Sequence, residues 1–393
     1  MTTPPQELLD MIVDELSQDR ASLRALHSTS QSFRYRAQRH LFRSIHLPQK
    51  RSRHSFLELC TASPNIPDLV QILEVTVSVN RDADQALLLP NLRSLHINGG
   101  PSINCRHPSR LAMHKIPSSL LAYSLITSLI LDGLNIESAQ RIRNLLCSFA
   151  TLRALVMNRV RVCATGSVSE VGEPEHDDGP VIEDLSLSFT SYNLWDMKVL
   201  LEIEGRPFIL RGLRKFSCTW AQYWHGIHDI KLLLHATKRT LQELHLCHSD
   251  VNYWGTYQTS HILDFSHVPR VIFEAPWRTA DQIIGLKWFM RCLESQEDGP
   301  ARTSQLCLSL RIHKFETFSD RYGILWRDLD RTLTVQRFAS LEKFSISVFI
   351  DGPMATGEQN EDQLDLPQME QTLSSSFPTL HGQKKVFVQI VGP

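Results

Sequence analysis

From Val70 to Ile346 the chain keeps returning to one apolar spacing, L-x-x-L-x-L with conservative replacements. The copies are Val70, Leu73 and Val75; Leu92, Leu95 and Ile97; Ile126, Leu129 and Leu131; and Leu152, Leu155 and Met157. They continue with Ile182, Leu185 and Leu187; Leu213, Phe216 and Cys218; Leu241, Leu244 and Leu246; and Leu341, Phe344 and Ile346. Val268, Val271 and Phe273, then Thr303, Leu306 and Leu308, make two fainter copies. The last two apolar residues of each copy stand two apart, so a short strand there turns both to one face. Such a strand buries little alone and has to stack on its neighbours.

This is the strand signature of leucine-rich repeats, in which each repeat lends one parallel strand to a shared core. The copies lie about 22 to about 38 residues apart, more ragged than the regular repeat of roughly 20 to 29, so insertions must sit between the strands. Several intervals have helical periodicity: Ile142, Leu145, Leu146 and Phe149; Ile227, Ile230, Leu233 and Leu234; Ile283, Leu286, Met290 and Leu293; and Leu325, Leu329 and Leu333. Strand followed by helix, repeated, predicts an α/β solenoid with parallel strands inside and helices outside. A doubly wound α/β sheet also alternates strand and helix. Its strands are apolar on both faces, whereas here Arg93 and Ser94, Thr127 and Ser128, Glu183 and Asp184, Arg214 and Lys215, and Gln242 and Glu243 make one face polar.

The first fifty residues have a different pattern. Thr3-Pro4-Pro5-Gln6 has the form of a capping box, with Pro4 at the first helical position. Leu8, Ile12 and Leu16 then recur every fourth residue beside Leu9 and Val13, the stripe of a short amphipathic helix. Asp19 or Ser22 can cap a second helix carrying Leu23 and Leu26, and Ser32 to Phe42 suits a third. Helices this short need tertiary packing.

Taken together, Pro5-Gln6-Glu7-Leu8-Leu9, Ile12, Leu16, Leu23, Leu26, Phe33 and Leu41-Phe42 resemble an F-box, the module that docks a protein onto the Skp-type adaptor of a cullin-RING ubiquitin ligase. Pro4 stands where the family usually has Leu, and Phe33 where many members have Trp. An F-box followed by irregular leucine-rich repeats is similar to a large class of fungal F-box proteins, with Leu41 to Leu47 as the junction strand. The resemblance implies an F-box over residues 1–47 and a solenoid over 48–393. It assigns Pro5, Leu8, Ile12, Leu16, Leu23 and Phe33 to adaptor binding, partly as contacts and partly as packing. The implied function is a non-catalytic receptor subunit that holds a protein target while other subunits transfer ubiquitin for degradation. The alternatives are a repeat scaffold outside any ligase, its first helices merely capping the array, and, more remotely, a hydrolase on an α/β sheet.

Composition excludes several other classes. Forty-two per cent hydrophobic content over 393 residues is that of a folded globular protein. A net charge of -1 gives no global attraction to nucleic acid or acidic lipid, and neither is expected as a partner. No stretch has the length of a membrane span, and the N-terminus is polar where a secretory leader would be apolar. The expected location is therefore cytoplasmic, nuclear or both. The 8 cysteines are scattered without a Cys-x-x-Cys pair and read as buried, reduced thiols. Basic residues from Arg34 to Arg53 read as a solvated face. Acidic loops are expected near 165–184 and 351–365, and Val386, Val388 and Ile390 suit a last strand.

No motif for catalysis or cofactor binding occurs: no phosphate-binding glycine loop, nucleophile elbow or zinc-protease helix. No cofactor is expected. His225 and His228, or His245, Cys247 and His248, have ligand-like spacing but no second cluster to complete a metal site. Trp220, Tyr223 and Trp224, then Tyr253, Trp254 and Tyr257, follow equivalent strands, and such aromatics favour either core packing or an interface. The expected target-binding patch is Ser217, Thr219, Trp220, Trp224, His245 and Trp254.

Overall fold

The structure, a computed structural model, describes residues 4–48, 50–77, 88–99, 116, 123, 125–162, 179–189, 211–220, 226–248, 262–275, 279–295, 300–312, 316–350 and 366–391. It divides into two compact units, Met1–Val181 and Ile182–Pro393. The expected acidic loop at 351–365, residues 165–178 of the one near 165–184, and the aromatic residues Tyr223, Trp224, Tyr253, Trp254 and Tyr257 lie outside the described residues. The last residues expected in the first loop are not loop, since Ile182 is buried and Asp184 begins a strand.

The first unit begins with three packed helices, α1 (Gln6–Glu15), α2 (Arg20–Thr29) and α3 (Gln31–Arg43). Val13, Leu23 and Ala37 are their core, with Leu16, Leu26, Phe33 and Leu41 packed round it. Helix α1 starts later than its sequence suggests: Pro5 is the N-cap, without a side-chain hydrogen bond. Gln6 does not reach back to close a capping box. Its amide donates to Asp10 of the next turn and to the Ser32 carbonyl of α3, a tertiary use that local spacing does not specify. Asp19 caps α2 as expected, accepting from the amides of Ala21 and Ser22, and Ser30 caps α3.

Strand β1 (Ser44–Leu47) follows without a break, then α4 (Lys50–Ala62), β2 (Ile72–Thr76), β3 (Ser94–Asn98), β4 (Ser128–Asp132), β5 (Asn135–Ile136), α5 (Ala139–Cys147), β6 (Ala154–Asn158) and β7 (Arg161–Val162). Strands β1, β2, β3, β4 and β6 pair in that order, all parallel, while β5 and β7 form a small parallel ladder of their own. The second unit holds β8 (Asp184–Phe189), β9 (Lys215–Trp220), α6 (Gly226–Ala236), β10 (Glu243–His248), β11 (Arg270–Glu274), α7 (Thr279–Glu294), β12 (Gln305–Ile312), α8 (Glu316–Leu333), β13 (Lys343–Ile350), α9 (Leu366–Ser375), α10 (Pro378–Gly382) and β14 (Val386–Val391). Its seven strands are parallel in chain order.

All ten copies of the apolar motif are strands with their entry residue buried. The first residue of every copy, from Val70 to Leu341, is at most 3 % exposed, so even the faint copies are core-forming. Thr303 fits because its hydroxyl donates to the Val268 carbonyl, the equivalent position one repeat earlier, at 3.0 Å. A polar group taken from water is thereby satisfied. The helical intervals behave likewise: Ile142, Leu145 and Leu146 of α5, Ile227, Ile230, Leu233 and Leu234 of α6, Leu286, Met290 and Leu293 of α7, and Leu325, Leu329 and Leu333 of α8 are buried.

One hydrogen-bond device repeats at the strand entries. The Gln71 carbonyl accepts from both Arg93 and Ser94, that of Arg93 from Thr127 and Ser128, and that of Thr127 from Arg153 and Ala154. In the second unit Glu183 accepts from Arg214 and Lys215, Arg214 from Gln242 and Glu243, Pro269 from Ser304 and Gln305, and Ser304 from Glu342 and Lys343. The Gln242 carbonyl receives only Arg270, because Pro269 has no N–H to offer. These shared carbonyls fix the register of each strand on the last.

The cysteines differ from expectation. Cys218 and Cys292 are buried, but Cys60, Cys247 and Cys307 are half-buried and Cys147 is exposed, and no disulfide forms among the described residues. Cys247 and Cys307 alternate with buried leucines on the open faces of β10 and β12, and Cys60 lies in α4. Burial pushes the Cys292 thiol up to about 12.

Candidate functional site

The packing of α1 to α3 divides the expected adaptor-binding residues into two groups. Leu23 is in the core, and Leu16 and Phe33 pack against it half-buried. Pro5, Leu8 and Ile12 face solvent. Leu8, Met11 and Ile12, at i, i+3 and i+4 on one helix face, are 51 %, 62 % and 50 % exposed, and Tyr35 of α3 is 66 % exposed. A helix whose buried stripe is already satisfied by Val13 therefore carries a second apolar stripe with nothing on it among the described residues.

Asp14 holds this helix to α3. Its carboxylate accepts from the Arg36 guanidinium at 2.7 Å through Nε and lies 2.7 Å from His40 Nε2. The Arg36 hydrogen bond, followed by that to His40, keeps the Asp14 carboxyl well below the usual carboxylate range. Sequence reading missed Asp14, whose partners lie 22 and 26 residues away.

Each unit also presents an open strand face. On the second unit, Ser217 and His245 are cross-strand partners, as are Thr219 and Cys247. The Ser217 hydroxyl is 3.4 Å from His245 Nδ1, and His245 Nε2 is 3.5 Å from the Glu274 carboxylate of β11. Glu274 was not anticipated; its place two residues past Ile272 in the next copy was the available signal. Trp220 ends β9 and its side chain is not among those described. The serine, histidine and glutamate make a polar relay across β9, β10 and β11. What the relay offers is a histidine of fixed orientation on a polar face.

At the entry row of the same face, Asp184, Lys215, Glu243 and Arg270 follow one another across the strands with alternating charge. Arg270 and Glu243 are paired at 3.0 Å. Burial pushes the Asp184 carboxyl up. The face is thus charged but self-compensated.

On the first unit Glu74 lies between two histidines, 2.8 Å from His46 Nδ1 and 3.6 Å from His96 Nδ1, with Ile130 and Val156 continuing that row. Beyond it, Arg159 forms a bidentate pair with Asp132 at 2.9 and 2.7 Å. Arg159 has φ 53° at the position equivalent to Gly133, which has φ 63°. An L side chain is strained there, and the ion pair offsets the strain. Among the described residues no cluster of three or more His, Cys, Asp or Glu is placed to hold a metal ion. His228 lies in α6, and His225 is outside the described residues.

Three packed N-terminal helices and all-parallel strands with interspersed helices define a repeat-solenoid scaffold of α/β type, consistent with a leucine-rich-repeat solenoid. No protein-family model matches the chain, and no curated protein is significantly similar to it. Among the described residues no helix is long and apolar enough to cross a membrane.

Proposed function

We propose that this chain is the substrate-recognition subunit of a Skp/cullin/F-box type ubiquitin ligase, with the N-terminal helices docking a Skp-type adaptor and the repeats holding a protein target. The observation that carries the proposal is the second apolar stripe of α1. Leu8, Met11 and Ile12 stay exposed although the three helices already own a core. Covering these half-exposed side chains is worth roughly 3 kcal/mol in all. Pro5, Leu8 and Ile12 would be contacts, and Leu16, Leu23 and Phe33 would hold α1 in place. The chain itself would be non-catalytic, and its open polar strand faces, including Ser217, Thr219 and His245, would meet the target in the cytoplasm or nucleus.

The test is co-expression with a Skp-type adaptor and size exclusion. The wild type should co-elute with it stoichiometrically, and Leu8→Lys with Ile12→Lys should elute alone with an unchanged circular dichroism spectrum. A wild-type chain that folds and elutes alone would contradict the proposal and leave a scaffold outside any ligase. Unfolding of the double variant would make the three helices a cap on the array.

A further inference from the structure

Strand β14 ends its sheet. It pairs with β13 along one side, and the Lys385 carbonyl accepts from the Phe344 amide there. Alternation along the strand then turns the N–H and C=O groups of Val386, Val388 and Ile390 outward, where no strand pairs with them among the described residues. Proteins usually guard such an edge with charge, proline or a bulge. Val386 to Val391 contains neither charge nor proline, and its register on β13 is unbroken. The core beneath is also incomplete. Phe344, Ile346 and Val348 of β13 are 0 % exposed, while their partners Val386, Val388 and Ile390 are only half-buried. On the other face Phe387 is 50 % exposed.

The charge around the strand's N-terminal end is positive. Lys384 and Lys343 are exposed, Lys385 is half-buried, and the Lys343 ammonium stands 5.0 Å from the centre of the Phe387 ring. One exposed carboxylate, Glu342, lies at this end of β13. Lys384 has φ 57°, so the chain turns sharply into the strand and holds the lysine at its start.

We propose that the β14 edge is a docking site for an extended peptide segment of a protein target. The segment adds as a further strand, with alternate apolar residues over Val386, Val388 and Ile390 and acidic residues beside Lys343, Lys384 and Lys385. Backbone hydrogen bonds supply affinity and the lysines fix the end at which the acids lie. The site does not involve α1, so adaptor co-elution and peptide binding fail or succeed separately.

Fluorescent peptides of alternating valine and threonine test this, carrying two glutamates at the N-terminal or the C-terminal end. One of the two should bind the full chain, and which one gives the direction of the added strand. The same peptide with lysines for glutamates should bind about tenfold more weakly, and backbone N-methylation at alternate residues should abolish binding. Val388→Pro removes an outward amide and should also abolish it. Lys384→Glu with Lys385→Glu should exchange the preference between acidic and basic peptides, so the claim does not depend on the proline variant folding. The inference is overturned if neither acidic peptide binds a folded chain, or if binding survives N-methylation or charge reversal. A concentration-dependent dimer in sedimentation that Val388→Pro dissociates would overturn it too, in favour of a second copy on the same edge.

Discussion

Asp14 joins two helices through two donors, and its protonation should be felt directly. Its ordinary value is 3.8 and its folded value is lower, so the stabilisation is present above about pH 4 and is lost as pH falls below that toward the folded value. Amide-exchange protection factors over Gln6–Arg43, taken relative to the intrinsic rate at each pH, should fall on acidification in the wild type. In Asp14→Asn they should already be lower at neutral pH and change less. His267 is shifted in the same direction for a different reason. Burial pushes its imidazole below the ordinary 6.5, so the unfolded chain takes up the proton first and the second unit loses stability as pH falls below about 6.5. His267→Leu should flatten the denaturation midpoint between about pH 7 and 5. Asp330 is buried at 4 % exposure and accepts from the amides of Thr379 and Leu380 at the start of α10. Asp330→Ala should cost about 2 kcal/mol in urea denaturation. None of these roles was legible in the sequence. They join residues 22 to 50 positions apart, while periodicity reports only neighbours.

Strands and helices were far more legible than single side chains, for a physical reason. A repeat must bury its strand against the next one, so Leu95, Leu129 and Leu155 are forced into one spacing whatever lies between them. Even Thr303 obeys it by donating to the previous repeat. Elements without that constraint were missed: α9, α10 and the small β5–β7 ladder follow no recurring pattern. The start of α1 was misplaced because Gln6 is used across to Ser32 and not locally. Within the second unit the packing concentrates on aromatics. Phe289 lies 4.6 Å from Phe273, stacked, and 5.8 Å from Phe265, which ties α7 to β11 and to the segment before it. Phe289→Ala should cost about 3 to 5 kcal/mol in equilibrium denaturation. Leu232, 47 % exposed on α6, should tolerate Ala with less than about 1 kcal/mol lost.

At the scale of the molecule, the chain combines a small helical module that owns a core yet shows a spare apolar stripe with parallel repeats whose open faces carry charged and polar side chains beside Ile130, Val156 and Ile272. The repeat class could be read from spacing because the constraint is collective. The candidate docking stripe could be read only in part: Leu8, Ile12 and Leu23 share a similar sequence pattern, but only packing shows that Leu23 is internal and that Met11 and Tyr35 join the exposed group. Of the expected target patch, Ser217 and His245 come together, while Glu274 was added by the fold. The most direct measurement is amide hydrogen exchange on the full chain with and without a Skp-type adaptor. The account predicts slower exchange over Gln6–Glu15 and around Tyr35 with the strands of the second unit unchanged. Unchanged exchange in α1, or protection confined to the strands, would contradict it.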